Sequence, residues 1–258
     1  MAKYQTGYAL SGGFIKGFAH LGAVQALYEN DVWPEIIAGV SAGSLAGVFL
    51  ADGKEPFKIL ELFEEKEFGD FTKFAIRARG GFMLLDQLHD FLYGNLSVRN
   101  LEQLRIPMIV TATNLDNGVT VHFRDGDIAP RVAASCCVPG LFTPIKIDDC
   151  HYVDGGVLMN LPVSVIRGDC ERVVAVNVSP IISPGYKMNV VNVLQRTYHL
   201  MSHSNILLDR GMADLLIETH NLNSYANNEL DKAREIFGRG YEAAKKALSE
   251  VSQPLINI

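Results

Sequence analysis

The sequence is poor in cysteine and has no dense run of basic residues. Its four cysteines form no C-x-x-C pair, which argues against a zinc site or a dithiol redox motif. The formal net charge is −6, and Lys and Arg are scattered along the chain. The composition therefore excludes a strongly basic, nucleic-acid-binding domain. We expect the cysteines to be reduced thiols in a cytoplasmic protein; they are Cys136, Cys137, Cys150 and Cys170.

Long apolar runs are also missing. The uncharged stretch 36–51, IIAGVSAGSLAGVFLA, is the best candidate for a membrane span, but it contains three glycines and two serines. It is also shorter than the roughly 20 residues that a helical span needs. Residues 1–13 lack the apolar core and the cleavage site of a signal peptide. We therefore expect neither a transmembrane segment nor a secretion signal.

What the sequence does contain is an alternation of buried strands and helices. Residues 4–12 and 35–40 predict strands, and 16–30 and 41–53 predict the helices that follow them. Such alternation implies parallel strands joined by right-handed crossovers, with helices on both faces of the sheet. We predict one α/β domain over 1–258, a three-layer α/β/α arrangement with a mostly parallel central sheet.

The later part of the chain continues this pattern after an interruption. We predict that residues 54–104 form a helical flank or lid over one end of the sheet, without a strand of their own. Further strands are predicted within 106–114, 118–123, 150–156, 171–179 and 213–218, and helices within 127–138, 190–210 and 227–251.

The pattern G-x-S-x-G occurs at residues 39–43, between a predicted strand and a predicted helix. A nucleophilic serine on such a sharp turn has strained backbone angles, and Gly39 and Gly43 would remove the clashes on either side of it. Ser41 would then lie at a helix N-terminus, where free N–H groups face a developing negative charge. A glycine-rich turn without activity is the alternative that this motif alone leaves open.

A second glycine-rich stretch, SGGFIKGFAHLG at 11–22, also joins a strand to a helix. It fails both the P-loop pattern and G-x-G-x-x-G, which disfavours a nucleotide-binding module. Its backbone N–H groups near Gly12, Gly13 and Phe14 could instead form an oxyanion hole, with the charge of Lys16 nearby. A tight turn that simply needs glycine is the other interpretation.

An exposed carboxylate is indicated at VDGG, residues 153–156, where Asp154 precedes Gly155 and Gly156. Asp-Gly-Gly also occurs in ordinary turns, so the motif is weak by itself. Together, however, a serine elbow, a donor loop and a carboxylate supply a nucleophile, an oxyanion site and a base. These are the groups that acyl transfer requires.

The sequence offers no convincing histidine base for a Ser-His-Asp triad. In the chain order of an α/β-hydrolase the candidates are His199, His203 and His220, and the first two lie in a predicted helix. Ser41 also follows only two predicted strands, which is early for that fold. An ordinary α/β-hydrolase is therefore disfavoured.

Four blocks in order resemble the patatin-like phospholipase family: SGGFIKGFAHLG, GVSAGS, RVAASCCVPGLFTPI and VDGGVLMNLPV. The resemblance extends over about residues 7–180 and continues more weakly to the end of the chain. It implies a patatin-like fold and a dyad in which Ser41 is the nucleophile and Asp154 the general base. Lys16 stands where many members carry arginine. The oxyanion donors implied are the N–H groups of Gly12, Gly13, Phe14 and Ala42.

The family resemblance implies a serine esterase of the phospholipase A or lysophospholipase type. Its substrate would be an acyl lipid, reached through a transient contact with a membrane surface, and it would need no metal, cofactor or nucleic acid. The residues themselves indicate only ester or thioester cleavage. An acyltransferase or thioesterase with the same dyad, or an inactive lipid-binding relative, are the alternatives. Residues 68–96 would line an acyl channel or form a lid, unless they are ordinary core; they include Phe71, Phe74, Phe82, Met83, Leu84 and Leu85.

Overall fold

A mostly parallel sheet of eight strands forms the centre of the computed structural model, which describes residues 2–64, 66–74, 80–180, 186, 188–225 and 229–250. The strands are β1 (Tyr4–Leu10), β2 (Ile36–Val40), β3 (Lys73–Phe74), β4 (Gly81–Leu84), β5 (Met108–Asn114), β6 (Val119–Phe123), β7 (Gly140–Phe142), β8 (Ile145–Ile147), β9 (Cys150–Asp154), β10 (Cys170–Asn177) and β11 (Leu215–Glu218). The central sheet has the order β11-β10-β1-β2-β5-β9-β8, and β6 also pairs with β5.

The first five strands of that order run parallel, and most of their residues are buried. β2 is buried at every residue, as is β5, because helices cover both of their faces. Strand β10 alternates between two cores, with Val173 and Ala175 on one face and Val174 and Val176 on the other. The predicted α/β class with a mostly parallel central sheet is confirmed.

Strand β5 brings the ends of β2 and β9 together. Thr111 pairs with Val40, the last residue of β2, while Ala112 pairs with Asp154, the last residue of β9. Both β5 residues also pair with β6, which therefore occupies the opposite edge. Since β2 is parallel and β9 antiparallel to β5, their carboxyl ends meet head to head on one edge.

Helices pack on both faces of the sheet. They are α1 (Phe18–Tyr28), α2 (Ala42–Ala51), α3 (Pro56–Glu64), α4 (Asp86–Asn95), α5 (Ile128–Ser135), α6 (Ser164–Arg167), α7 (Val190–Ser204), α8 (Ile206–Arg210) and α9 (Ala233–Glu250). The larger core contains residues of α1 to α5 and α9, and the smaller core on the other face contains residues of α6 and α8. Helix α2 is buried along most of its length, which explains its lack of charge.

Residues 54–104 differ from the prediction, because they are not exclusively helical. Besides α3 and α4 they contain β3 and β4, which form a second sheet with β7 in the order β3-β4-β7. Strand β4 pairs parallel with β7, more than fifty residues away, at Gly81–Gly140 and Met83–Phe142. Strands this short show no usable periodicity, and their pairing is decided by tertiary contact.

Two predicted helices also have different limits. The helix predicted over 16–30 begins with a 3-10 turn at Phe14–Gly17 before α1. The helix predicted over 190–210 breaks at Asn205 into α7 and α8. The break coincides with a structural role, because the Asn205 side chain donates to Gly156 O and accepts from Asn160 N.

Within the described part of the chain, none of the helices has the length and hydropathy needed to cross a bilayer. The uncharged stretch 36–51 is the strand β2, a tight turn and the helix α2. All four cysteines lie among the described residues and are free thiols.

Candidate active site

Ser41 occupies a strained turn between β2 and α2. Its φ and ψ are 52° and −122°, in a region that a side chain disfavours. A Cβ on Gly39 would lie 2.5 Å from the carbonyl oxygen of Gly43, and one on Gly43 would lie 2.3 Å from that of Leu10. Only glycine permits these close approaches. The local sequence therefore satisfies the steric requirement of a nucleophile elbow.

Hydrogen bonds hold the backbone of Ser41 in place. Its N–H donates to Ser135 Oγ at 2.8 Å, and the Ser135 hydroxyl donates to Thr111 O at 2.7 Å. Its carbonyl accepts a bond from Ser44 Oγ at 2.7 Å. Ser135 thus bridges the junction where β2 ends against β5. These contacts leave the Ser41 side chain 5% exposed at the N-terminus of α2, the positive end of the helix dipole.

Asp154 ends β9 and is fully buried. Its N–H donates to Cys137 O at 2.8 Å, and its Oδ1 accepts from Gly156 N at 2.8 Å. Burial raises the pKa of the carboxyl to about 6, against the lowering effect of hydrogen bonds from Ser41, Gly156 and Tyr198. The carboxylate is therefore a stronger base than an exposed aspartate, and it is ionised at neutral pH.

The hydroxyl of Ser41 is near enough to Asp154 to lower the pKa of its carboxyl. Oδ2 of Asp154 is buried and accepts no hydrogen bond of ordinary geometry from any described residue. Ser41 and Asp154 are thus neighbours, although no hydrogen bond of ordinary geometry joins their side chains. The structure brings together the serine and the aspartate that lie 113 positions apart in the chain.

The glycine-rich loop runs beside the elbow. A Cβ on Gly12 would lie 3.3 Å from that of Ser41 and 2.4 Å from Asn160 Oδ1, so the loop approaches closely because it has no side chain there. Gly12 was predicted to supply an N–H to the oxyanion hole. This prediction is wrong, because that N–H donates to Asn160 O at 3.1 Å. Phe14 has a positive φ of 53° and lines the same cavity as Ser41 and Ala42.

Gly13, Phe14 and Ala42 remain the candidate oxyanion donors. Ala42 is the first residue of α2, where an N–H has no partner within the helix. The positive φ of Phe14 is a strained backbone conformation of the kind that clusters at functional sites. Asn160, which occupies the N–H of Gly12, lies almost 150 residues further along the chain and carries no sequence signal for that contact.

None of the three histidines considered as a base, His199, His203 and His220, lines the cavity that Ser41 lines. His20 is fully buried, and its Nε2 bonds Ser11 O at 2.8 Å beneath the glycine-rich loop. His199 and His203 line a polar cavity beyond Phe14, and His220 lies in a cleft beside α9. The Ser41 hydroxyl interacts with the Asp154 carboxylate and also with the Cys136 thiol, and in both groups it opposes the rise in pKa that burial causes.

An apolar cavity of about 140 Å³ opens beside Ser41. It is lined by the elbow, the glycine-rich loop, and the segment 63–88. Of the predicted lining residues, Phe71 and Leu85 contribute, Phe82 is 48% exposed and does not, and the Phe74 side chain is outside the described residues. The full lining is Phe14, Ile15, Phe18, Ser41, Ala42, Leu45, Phe63, Phe71, Thr72, Leu85, Leu88, Cys136, Phe142 and Leu230.

A smaller polar cavity of about 70 Å³ lies on the other side of Phe14. Lys16 lines it, with only 8% of its surface exposed, and its ammonium group donates to Asn223 Oδ1 at 3.0 Å. Burial lowers the pKa of Lys16 to about 8. The cavity is lined by Gly12, Gly13, Phe14, Lys16, Asn160, Ser179, Arg196, Tyr198, His199, Ser202, His203 and Asn223.

Helix α7 supplies supports for the aspartate loop that the sequence analysis missed. Ser202 Oγ and Asn205 Nδ2 both donate to Gly156 O, at 2.9 and 3.0 Å. The Tyr198 hydroxyl lowers the pKa of Asp154. Tyr198, Ser202 and Asn205 are spaced i, i+4 and i+7, which places the three side chains on one face of the helix. This spacing of polar side chains is the sequence feature from which the polar inner face of α7 could have been predicted.

Comparison with known proteins agrees with this architecture. A family model described as Patatin-like phospholipase matches residues 8–166. The match runs from β1 through the serine elbow, the Asp-Gly-Gly turn and α6, and so includes both members of the Ser41–Asp154 pair.

Individual relatives are more distant. An uncharacterized NTE family protein of Mycobacterium tuberculosis is 29% identical over 178 residues, which cover 66% of this chain and 48% of that protein. Lysophospholipase NTE1 of Saccharomyces cerevisiae is 27% identical over 186 residues, 67% of this chain and 11% of that protein. The chain thus spans about half the length of its mycobacterial relative and far less of the yeast one.

A solved structure shares the fold. The crystal structure of VipD from Legionella pneumophila superposes with a TM-score of 0.54 and 15% sequence identity. The superposition covers 96% of this chain and 67% of that one. The central sheet and its flanking helices are therefore common to both proteins.

Proposed function

The chain belongs to the patatin-like phospholipase family, and from this premise we propose that it is a serine lipid acyl hydrolase of the phospholipase A or lysophospholipase type. Ser41 is the nucleophile and Asp154 the general base. The observation that carries the proposal is the head-to-head junction on β5. It sets a strained, helix-capping serine beside a buried aspartate whose pKa is raised to about 6.

In the first half of the reaction, Asp154 accepts the proton of the Ser41 hydroxyl as Oγ attacks the ester carbonyl. The carbonyl oxygen becomes an oxyanion beside the N–H groups of Gly13, Phe14 and Ala42 and the positive end of α2. Losing one such donor typically costs about 100-fold or more in rate. The C–O bond then breaks, and the departing alcohol takes the proton from Asp154, leaving an acyl-serine.

In the second half, water attacks the acyl-serine and gives a proton to Asp154. The tetrahedral intermediate collapses, Ser41 Oγ takes back the proton, and the carboxylic acid is released. Asp154 suits both steps because burial raises the pKa of its carboxyl to about 6, close to neutral pH.

The apolar cavity is the proposed site of the acyl chain. Ser41 lies at its wall, and Phe71, Leu85 and Leu88 from the segment 54–104 close the side away from the sheet. This segment is therefore the cover of the acyl site in a single catalytic domain. An apolar wall favours a hydrocarbon chain over a polar acyl group. The yeast relative is named a lysophospholipase, which fits an acyl ester with one chain.

A transient contact with a membrane surface is proposed for the outer side of α7 and α8. Ser202 of α7 holds the aspartate loop, while other residues of α7 and α8 expose apolar side chains. Leu207 is 62% and Leu208 80% exposed. Patches of this kind on a protein surface mark contacts with partners or membranes. The exposed set is Met188, Val190, Val191, Val193, Leu194, Leu200, Met201, Leu207, Leu208 and Met212.

Flotation with phosphatidylcholine vesicles tests this contact. We expect the wild type to float with the vesicles and the double variant Leu207→Ser/Leu208→Ser to float markedly less. Leu115→Ser, at a 52% exposed leucine elsewhere, is the matched control. A wild type that stays with the soluble fraction would overturn the membrane contact and leave the dyad proposal intact.

A fluorophosphonate probe, which reacts with activated serines, tests the dyad. We expect the wild type to be labelled, Ser41→Ala not to be, and Asp154→Asn to react at least about 100-fold more slowly, since a general base contributes roughly 10²–10⁴. Ser249→Ala and Asp149→Asn are matched controls at exposed positions. Circular dichroism verifies that each variant is folded.

The results separate the alternatives. A folded wild type that is not labelled contradicts the enzyme proposal and favours a lipid-binding relative. Full labelling of Asp154→Asn retains the nucleophile and removes Asp154 as its base. Turnover of oleoyl esters and thioesters, with and without added glycerol, then distinguishes hydrolase, thioesterase and acyltransferase by the product that forms.

A further inference from the structure

Asn160 carries a buried oxygen without a hydrogen-bond donor. The residue is 3% exposed, and its Oδ1 accepts no hydrogen bond from any described residue. Oδ2 of Asp154 is buried and unpartnered in the same way. Buried polar atoms are nearly always hydrogen-bonded, and bound water is a common partner where the protein supplies none. Two such acceptors in one short segment therefore point to a small molecule that donates hydrogen bonds beside them.

The position of the Asn160 oxygen relates it to the nucleophile. A Cβ on Gly12 would lie 2.4 Å from Asn160 Oδ1 and 3.3 Å from the Cβ of Ser41. Those two atoms are therefore no further apart than the two distances together, a span that one water molecule can bridge. A Cβ on Gly156 would lie 2.9 Å from the same oxygen, and the N–H of Gly156 donates to Asp154 Oδ1. The oxygen is thus adjacent both to the loop beside Ser41 and to the loop of Asp154.

The polar cavity begins at this point. Asn160 and Gly12 line it, and so do the hydroxyl-bearing side chains of Tyr198 and Ser202. Both hydroxyls face the aspartate loop, since a Cβ on Gly156 would lie 2.4 Å from the first and 3.1 Å from the second. The volume of about 70 Å³ admits two water molecules, each of which takes up roughly 30 Å³ in the liquid. The cavity thus has the room and the polar groups that ordered water needs.

The apolar cavity is unsuited to deliver water once Ser41 is acylated. Ser41 lies at its wall, and in the proposed reaction the acyl chain occupies it until the second half is complete. A hydrocarbon chain forms no hydrogen bonds and excludes water from the side that it covers. The polar cavity lies on the other side of Phe14, and there the glycine-rich loop has no side chain at Gly12 to separate it from Ser41.

We propose that the polar cavity supplies the water that hydrolyses the acyl-serine, and that the Asn160 side chain orients this water. The inference rests on the proposed function and adds a positioning residue to its second half. The water oxygen attacks the acyl carbon, and one of its protons passes to Asp154. Its other O–H donates to Asn160 Oδ1 and stays on the attacking oxygen, as the hydroxyl of the released acid. The bond between Ser41 Oγ and the acyl carbon breaks, and Oγ takes the proton from Asp154.

The two halves of the reaction place different demands on Asn160. In the first half the attacking oxygen belongs to Ser41, whose backbone already fixes its position. A water molecule has no covalent attachment, so hydrogen bonds alone must orient it. The Asn160 side chain should therefore matter for deacylation and much less for acylation. The backbone bonds of Asn160 to Gly12 and to the Asn205 side chain do not depend on its own side chain, and a substitution keeps them.

A single-turnover experiment tests this difference. With enzyme in excess over p-nitrophenyl octanoate, release of p-nitrophenol reports acylation and release of octanoate reports deacylation. In Asn160→Leu we expect p-nitrophenol release to stay within about threefold of the wild type and octanoate release to slow at least about tenfold. The acyl-enzyme should then accumulate and be visible by mass spectrometry of the intact protein. Asn117→Leu, at an exposed asparagine in the turn after β5, is the matched control and should keep both rates.

A second variant separates the orientation of water from structural support. Asn160→Ala leaves space that a further water molecule can fill and in which it can serve as the acceptor, so deacylation should slow less than in Asn160→Leu. If Asn160 only supported the fold, the larger void would make Asn160→Ala the more damaged of the two. Equal slowing of both halves of the reaction, or unchanged deacylation in Asn160→Leu, would overturn the proposal.

Failure of this inference is distinct from failure of the proposed function. If the wild type releases no p-nitrophenol and Ser41 does not react with the fluorophosphonate, the proposed function fails. A crystal structure of the wild type then decides the water site by itself. It should show ordered water in the polar cavity, with one molecule hydrogen-bonded to Asn160 Oδ1. A cavity filled by side chains, or one without ordered water at Asn160, would contradict the site.

Discussion

The two cavities that share Phe14 differ in the side chains that form their walls. The apolar cavity of about 140 Å³ is walled by α1, α2 and the segment 63–88, whereas the polar cavity of about 70 Å³ is walled by the glycine-rich loop and α7. Phe14 belongs to both. The comparison teaches that one loop residue can border two spaces whose chemical character is decided by the elements packed on either side of it.

The difference between the cavities follows from what each wall must bury. The segment 63–88 packs its aromatic residues together, with the Phe63 and Phe71 centroids 5.7 Å apart, and so presents hydrocarbon to the cavity. Helix α7 turns Tyr198, Ser202 and Asn205 inward to satisfy the buried backbone of the Asp154 loop. A helix facing a polar loop keeps a polar inner face.

The largest difference between the two cavities should appear when a larger side chain fills part of the apolar cavity. Leu88 is 4% exposed on α4 and lines the cavity, so Leu88→Phe takes up space that a long acyl chain would occupy. We expect kcat/KM for oleoyl esters to fall about tenfold or more, since overpacking of this kind costs roughly 1–3 kcal/mol. Butanoyl esters should be much less affected. The measurement is a series of p-nitrophenyl esters of increasing chain length.

Leu115→Phe is the control for this prediction, because Leu115 is 52% exposed and does not line the cavity. A parallel loss for short and long chains in Leu88→Phe would mean that the variant disturbs the dyad. An unchanged chain-length profile would place the acyl chain elsewhere.

A smaller effect on activity is expected from removing the hydroxyl of Tyr198, which lines the polar cavity. Its hydroxyl lowers the pKa of Asp154, so Tyr198→Phe should raise that pKa above about 6. At pH 6 a smaller fraction of Asp154 is then ionised, and kcat/KM should fall several-fold more than it does at pH 8. The measurement is the pH profile of kcat/KM for a short neutral ester. A uniform loss across pH would indicate a purely structural role.

The smallest effect concerns stability. Burial raises the pKa of Asp154 from the model-peptide value of 3.8 to about 6, so the folded protein binds this proton more tightly than the unfolded chain. The resulting stabilisation is complete below about pH 4 and is lost as the pH rises through 6. Asp154→Asn, which has no charge to bury, should therefore be more stable than the wild type at pH 8, on the order of 2–3 kcal/mol.

Differential scanning calorimetry at pH 4 and pH 8 measures this stability difference. A gain of about 5 °C in Tm for Asp154→Asn at pH 8, shrinking at pH 4, is the expected result. Asp149→Asn, at a fully exposed aspartate in the same β8–β9 hairpin, should show no such gain. A variant that is equally or less stable than the wild type at pH 8 would contradict the placement of an ionised, buried carboxylate.

Much of the fold could be predicted because the parallel strands and the helices after them have recognisable local sequence patterns. Strand β2 is a continuous apolar run followed by the uncharged helix α2, and β10 has an apolar centre, VVAV. Strands β3, β4, β7 and β8 were not predicted, because each has only two to four residues, and β4 and β7 also pair across almost sixty residues of sequence. Their existence depends on partners that no local pattern identifies.

The serine elbow was readable from the sequence by itself, because its requirements lie within five residues: Gly39, Ser41 and Gly43 at the end of one strand. Tertiary structure alone decided that Asp154 would meet Ser41. The two residues are brought together because β9 pairs antiparallel with β5 on the same edge as β2, directly after the point where the β2 pairing ends. Ser135 accepts a hydrogen bond from the N–H of Ser41 at this junction.

Tertiary structure also decided the character of the space around that pair. The N–H of Gly12 is taken by Asn160, and the polar cavity is completed by Arg196 of α7, both distant in sequence from the loop they contact. The physical reason is the distance in sequence between the residues that interact. Backbone strain and helix initiation are settled between neighbouring residues, whereas strand order, burial and the pKa of a carboxylate depend on residues that folding brings together.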